Sequence, residues 1–220
     1  MNLRNIKAAI FDLDGTIADS MGIWDRIDDE FFNKHGIEQT GDYKDIIKTM
    51  GFRKAAEYTK ARFDFRITVQ EIVDEWFQMS LNEYAFNVKL KPGAGEFIKK
   101  LKAAGLKIGL ATATGQRLFE PLLKRCGVFD CFDVFSTTEE AGKDKNYPDV
   151  YILCAGRLSV PPQNCMVFED ILAGIKSAKS AGMKTTGVFD RRSILEKEQI
   201  LKETDYFLNS FNEIINDVEF

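Results

Sequence analysis

Apolar residues along the chain follow two rhythms. The first is a short run cut off by polar turn residues: Ala8-Ala9-Ile10-Phe11 stops at Asp12-Leu13-Asp14-Gly15-Thr16, as a strand buried on both faces would. It recurs at Leu106–Ala111 ending on Thr112, Val134-Phe135 ending on Ser136, Met166–Phe168 ending on Glu169-Asp170, and Thr185–Phe189 ending on Asp190. The second rhythm is helical and fills the intervals: 94–104 with Phe97, Ile98 and Leu101, 116–126 with Leu118, Leu122 and Leu123, 148–158 with Val150, Tyr151 and Leu153, and 171–181 with Ile171, Ile175 and Ala178. Strands alternating with helices of this length predict βαβ units with right-handed crossovers, hence an α/β protein with a doubly wound, Rossmann-like parallel sheet.

Residues 17–88 break the alternation. Ile23, Ile27 and Phe31, then Ile46, Ile47 and Met50, then Ile72, Trp76 and Phe77 carry helical periodicity, and no buried strand interrupts them. This predicts an α-helical cap domain at 17–88, inserted after the first strand of a core formed by 1–16 and 89–220, with Lys91-Pro92-Gly93 punctuating the return. Asp19 is expected to cap the first inserted helix, and Phe31, Phe32, Phe63 and Phe65 to fill the insertion's interior.

Composition narrows the partners. At 220 residues, 45% hydrophobic and 29% charged, the chain has the makeup of an ordinary globular protein, not of a disordered, collagenous or coiled-coil one. Its 30 Lys and Arg against 34 Asp and Glu leave a net charge of −4, without the basic field that a nucleic acid would require. No apolar run nears the roughly 20 residues that span a bilayer, and the start of the chain is too polar for a signal peptide. The expectation is a cytoplasmic protein, monomeric or weakly dimeric, with no membrane partner. Cys126, Cys131, Cys154 and Cys165 form no C-x-x-C pair and read as reduced thiols filling space. The single His35, in a polar stretch typical of a helix end, argues against a zinc site and against imidazole-activated nucleophiles.

Candidate chemistry collects where the strands end. In a parallel sheet the ligand crevice lies beyond the carboxyl ends of the strands. Asp12, Asp14, Thr112, Glu169 and Asp170 all fall there, and the Gly142–Pro148 loop adds Lys143 or Lys145. Four carboxylates gathered without a counter-ion would raise one another's pKa values, so the cluster calls for a cation. Oxygen donors without His or thiolate favour a hard ion, Mg²⁺ ahead of Ca²⁺, commonly completed by substrate phosphate. A carboxylate beside such an ion is a competent nucleophile toward phosphorus, which gives Asp12 that role and Asp14 the role of proton shuttle. Thr112, backbone N–H groups near Ala113 and a lysine supply what phosphoryl transfer needs to neutralise its oxygens.

Asp12-Leu13-Asp14-Gly15-Thr16, Ala111-Thr112-Ala113-Thr114, Lys145 three residues before Pro148-Asp149, and Val167-Phe168-Glu169-Asp170 followed by Ala173-Gly174-Ile175 resemble, in order and spacing, the four motifs of the haloacid dehalogenase superfamily. The chain is most similar to the branch of β-phosphoglucomutase-like proteins with a helical cap. The resemblance implies a Mg²⁺-dependent phosphatase acting on a small phosphorylated metabolite, a sugar phosphate being one candidate, through an aspartyl-phosphate. It makes Asp12 the nucleophile, Asp14 the acid and base, Thr112 a phosphate ligand and Lys145, chosen over Lys143 by its offset from Pro148, the stabilising charge. It also assigns Mg²⁺ to Asp12, the carbonyl of Asp14, Asp170 and Glu169, and sets Arg53 near a substrate-contacting arginine of the family; the backbone at Ala113 is a further candidate contact, and Trp24 either lines the pocket or fills the cap core.

Two positions depart from the pattern. Ile171 follows Asp170 where relatives carry Ser, and Trp24 stands ten residues beyond Asp14 where β-phosphoglucomutases carry His. The alternatives are a phosphomutase, which Trp24 weakens, and a non-catalytic protein that binds phosphorylated ligands. Asp14 argues against dehalogenase chemistry, since that branch lacks the second aspartate.

Overall fold

In a computed structural model, which describes residues 1–63, 65–215 and 217–219, six strands form one parallel sheet. These are β1 (Ala8–Phe11), β2 (Lys107–Thr112), β3 (Val134–Thr137), β4 (Cys165–Glu169), β5 (Lys184–Val188) and β6 (Tyr206–Leu208). Their order is β3-β2-β1-β4-β5-β6. The chain therefore winds one way from β1 to β3, returns, and winds the other way from β4, leaving a switch point between β1 and β4. All residues of β1 and β4 are buried because helices cover both faces. Alternation separates the covers: Ala9 and Phe11 pack with Phe97, Leu101 and Phe168 on one side, Ala8 and Ile10 with Val150, Tyr151 and Val167 on the other.

The predicted strands and helices of this layer are present. Helices α5 (Ala94–Ala103), α6 (Gln116–Arg125), α8 (Asp149–Leu158) and α9 (Leu172–Ser180) match the four periodic stretches, with α7 (Thr138–Ala141) and α10 (Lys197–Glu203) as short additions. Strand β6 is an addition too, three residues at the sheet edge, Tyr206 and Phe207 half-buried and Leu208 buried.

Between β1 and α5 lie α1 (Met21–Lys34), α2 (Tyr43–Ile47), α3 (Phe52–Phe63), α4 (Val69–Asn82) and a π-helical turn at Glu83–Asn87. Their interior is aromatic: the Phe31 ring lies 5.1 Å from Phe65 and 5.4 Å from Trp76, and Phe32 lies 4.9 Å from Phe63. The segments entering and leaving this insertion run side by side, with Asp19 N donating to Lys89 O (2.9 Å) and Lys91 N to Ile17 O (2.8 Å). Asp19 is thus tied into that pair, and α1 starts after Ser20 instead. His35 ends α1 with its ring near Glu75, and all four cysteines are free, Cys154 and Cys165 fully buried. Among the described residues no helix is long and apolar enough to cross a membrane.

Candidate active site

The turn after β1 sets the site. Asp12 follows directly on the strand, and Gly15 takes a left-handed φ of 79°, where a Cβ would collide with the Asp170 carboxylate. This close approach brings β1 and β4 together at the switch point, so that Asp12, Glu169 and Asp170 each present an oxygen within 4.8 Å of the others. Thr16 Oγ1 lies 3.0 Å from Asp170 Oδ1 and 3.3 Å from Asp12 Oδ2, sharing one proton between the two strand ends.

Lys145 is the lysine brought inside. Its ammonium is buried, pairs with Asp12 and lies 2.5 Å from Glu169 Oε1, while Lys143 stays over the Tyr147 ring. Glu169 has partners on both oxygens: Oε1 also accepts from Tyr151 Oη (2.8 Å), and Oε2 accepts from the backbone N–H groups of Asp170 (2.8 Å) and Ile171 (3.1 Å). Burial disfavours charge on Lys145, but Asp12 and Glu169 outweigh it and hold the ammonium protonated, above the ordinary lysine range.

The acids show the opposite balance. Burial pushes the Asp12 carboxyl up to about 7 despite the pull of Lys145, with Glu169 and Asp14 adding to the rise. Asp170 is raised well above the carboxylate range, by burial first and then by Glu169 and Asp12. One lysine does not neutralise this cluster, and a hard divalent cation among these all-oxygen donors fits the remaining charge.

Asp14 points elsewhere. Its Oδ1 accepts from Ser20 Oγ (2.6 Å) and from the Tyr84 hydroxyl, its Oδ2 from Thr114 Oγ1 (2.5 Å). Trp24 Nε1 donates to Tyr84 Oη (2.8 Å) and lies 3.5 Å from Asp14 Oδ1. Burial, and then the Asp14 charge, raise the Tyr84 phenol well above its usual range, so it remains a donor.

Asp12, Asp14, Trp24, Thr112, Ala113, Lys145 and Asp170 line one cavity of about 120 Å³ between the sheet edge and the helical insertion, and Met50 and Phe52 add apolar wall. The Thr112 hydroxyl accepts from Thr114 N (3.0 Å). Ile171 lies against the same cavity, so an apolar face stands where relatives carry a hydroxyl. Arg53 is not among the lining residues; its guanidinium donates to Gln70 Oε1 (2.8 Å). Sequence reading did not find Thr16, Ser20, Tyr84, Thr114 or Tyr151. Thr16 and Thr114 lie inside motif strings already quoted, but Ser20 and Tyr84 carry no local signal, since Tyr84 reaches Asp14 across 70 positions of chain.

Comparisons with known proteins agree with this geometry. Hexitol phosphatase B of Escherichia coli (strain K12) is 30% identical over 185 residues, 83% of each chain. The crystal structure of CbbY from Rhodobacter sphaeroides in complex with xylulose-(1,5)bisphosphate superposes with a TM-score of 0.84 at 25% identity, over 95% of this chain and 96% of that one. β-Phosphoglucomutase from Clostridium difficile shares the fold, with a TM-score of 0.79 at 24% identity over 95% and 93% of the two chains. The haloacid dehalogenase-like hydrolase model matches residues 6–182, and with the acidic cluster at the switch point this chain belongs to that hydrolase family.

Proposed function

We propose that the protein is a Mg²⁺-dependent phosphatase that hydrolyses a small phosphate monoester of the sugar-phosphate class. The observation that carries this reading is Asp12, buried at the switch point between the Lys145 ammonium and the Asp170 carboxylate and open to the cavity. The names of hexitol phosphatase B and of the CbbY complex support the substrate class.

Asp12, Asp170 and Glu169, with the backbone carbonyl of Asp14, would hold the ion. Bound there, it would neutralise carboxylates and phosphoryl oxygens alike. An Asp12 carboxylate oxygen bonds to phosphorus as the ester P–O bond breaks, and Asp14, entering this step protonated, gives that proton to the departing alkoxide. Water then attacks phosphorus, passes a proton back to Asp14, and releases orthophosphate and the Asp12 carboxylate. Lys145, held by Glu169 and Tyr151, keeps its charge on Asp12 and the phosphoryl group, while Thr112 and the backbone at Ala113 supply donors. Residues 17–88 act as a cap that excludes bulk water, and Trp24, which donates toward Tyr84 and Asp14, contributes wall and not a second proton carrier. Arg53, turned toward Gln70 and outside the cavity lining, has no part in these steps. In this reading the enzyme works in the cytoplasm, as a monomer or weak homodimer, on a diffusible metabolite.

Phosphate release from p-nitrophenyl phosphate and a sugar-phosphate panel tests the proposal. Turnover should require Mg²⁺ and fall at least about a thousandfold in Asp12→Asn, as loss of a covalent nucleophile demands. Metal-independent turnover, or an Asp12→Asn enzyme as active as the parent, would overturn it; isomerisation of glucose 1-phosphate outrunning its hydrolysis would replace it with a mutase.

A further inference from the structure

One cavity carboxylate has no place in that chemistry. Asp28 lies four residues beyond Trp24 on α1, so it stands on the same helix face about one turn, roughly 5–6 Å, farther from Asp14. It lines the same cavity and is only 6% exposed. Among the described residues its carboxylate makes no hydrogen bond and no ion pair.

The neighbouring cations are committed to other acids. Lys44 is held by Asp25 (3.2 Å) and Asp29 (3.0 Å), Arg192 faces Asp25 (3.5 Å), and Lys48 is held by Glu196 (2.7 Å). With Asp45 near Lys48, this end of the cavity sets five carboxylates against three cations. Burial pushes the Asp28 carboxyl up to about 7 even with Lys44 and Arg192 pulling it down. The indole N–H of Trp76, another lining residue, is likewise buried without a partner. An unpaired acceptor and an unpaired donor in one apolar pocket match a hydroxylated leaving group, since each hydroxyl both donates and accepts. A second phosphate would meet excess negative charge there and no free cation.

We propose that Asp28 is a specificity-determining residue that accepts a hydrogen bond from a hydroxyl on the leaving group and disfavours esters carrying a second anionic group. This rests on the phosphatase reading above. The test compares kcat/KM for a hexitol 6-phosphate, a hexose bisphosphate and p-nitrophenyl phosphate in the Mg²⁺-loaded wild type, Asp28→Asn and Asp28→Leu. The wild type should prefer the hexitol ester over the bisphosphate at least tenfold. Asp28→Leu should lower the ratio of hexitol ester to p-nitrophenyl phosphate at least tenfold, and Asp28→Asn should raise the ratio of bisphosphate to hexitol ester severalfold, with neither variant melting below the wild type. Ratios within twofold of the wild type in both variants, a wild-type preference for the bisphosphate, or uniform loss on every ester with a lowered Tm would overturn the assignment. Absence of turnover on all three esters in the wild type would instead remove the phosphatase reading on which it stands.

Discussion

Ser20, Tyr84 and Thr114 aim hydroxyls at one carboxylate, Asp14, and Trp24 braces Tyr84 from behind. In the proposed mechanism Asp14 is the proton shuttle, useful only in one orientation, and these donors fix it. Tyr84→Phe should therefore lower kcat about tenfold while moving KM little, because it loosens the shuttle and leaves the phosphate contacts alone; steady-state kinetics on p-nitrophenyl phosphate give both values, and a change confined to KM would contradict the role. Asp28 makes a different demand at the same scale. Its folded carboxyl titrates near 7, above the ordinary 3.8, so the native state keeps a proton that the unfolded chain has lost between those values. It costs almost nothing at pH below about 4, and its cost grows as pH rises through that window, reaching on the order of 4 kcal/mol above it. Asp28→Asn should raise Tm by roughly 8–16 °C at pH 8 and leave it nearly unchanged at pH 4, as thermal melts across pH would record. A residue that destabilises its own fold in this way is characteristic of a binding position.

Among the elements, the ones foreseen share a strong local signal. Strand β1 is a four-residue apolar run because helices bury both of its faces, and α5 shows its buried stripe of Phe97, Ile98 and Leu101 in plain 3.6-residue spacing. Strand β6 was invisible for the converse reason: Tyr206-Phe207-Leu208 is short, sits at the edge and is held by pairing with β5, a contact that no local window contains. Helix α4 begins with a reciprocal cap in which the Thr68 hydroxyl accepts from Glu71 N (3.2 Å) while Glu71 Oε2 accepts from Thr68 N (2.7 Å). Thr68→Ala should cost about 1 kcal/mol, seen as a Tm drop of roughly 2–4 °C without change in kcat, since α4 carries Trp76 but no reacting group. Where α4 gives way to the π-helical turn, Arg125 of α6 donates to the carbonyls of Ala85 (2.8 Å) and Val88, binding the exit of the insertion to the sheet layer.

For the molecule as a whole, function follows from where the winding reverses. Because β1 and β4 are neighbours in the sheet although more than 150 positions separate them, the acids at their ends share one space, and that space holds more negative charge than Lys145 offsets. A ligand that binds only the folded state adds stability by mass action, so Mg²⁺ at about a hundred times its Kd should stabilise by about 2.7 kcal/mol. Tm should climb by several degrees on titration with Mg²⁺ and return with EDTA, the response should weaken in acid as protons compete for the same oxygens, and Asp170→Asn should abolish most of it. Differential scanning fluorimetry reads all of this without any substrate; a wild type indifferent to Mg²⁺ would contradict the metal assignment.

Local pattern was enough for the alternating layers and for marking Asp12, Asp14, Thr112, Glu169 and Asp170 as polar residues at strand ends, because strand burial and strand-end polarity are written in consecutive residues; Lys145 was singled out from Lys143 by motif resemblance. Folding in three dimensions was needed to bury the Lys145 ammonium against Asp12 and Glu169, to carry Tyr84 from the far end of the insertion onto Asp14, and to turn Arg53 toward Gln70 while Asp28 faces the cavity unpaired. The reason is range. Periodicity records which side of an element is buried, whereas hydrogen-bond partners and unpaired charges depend on which remote element packs against that side.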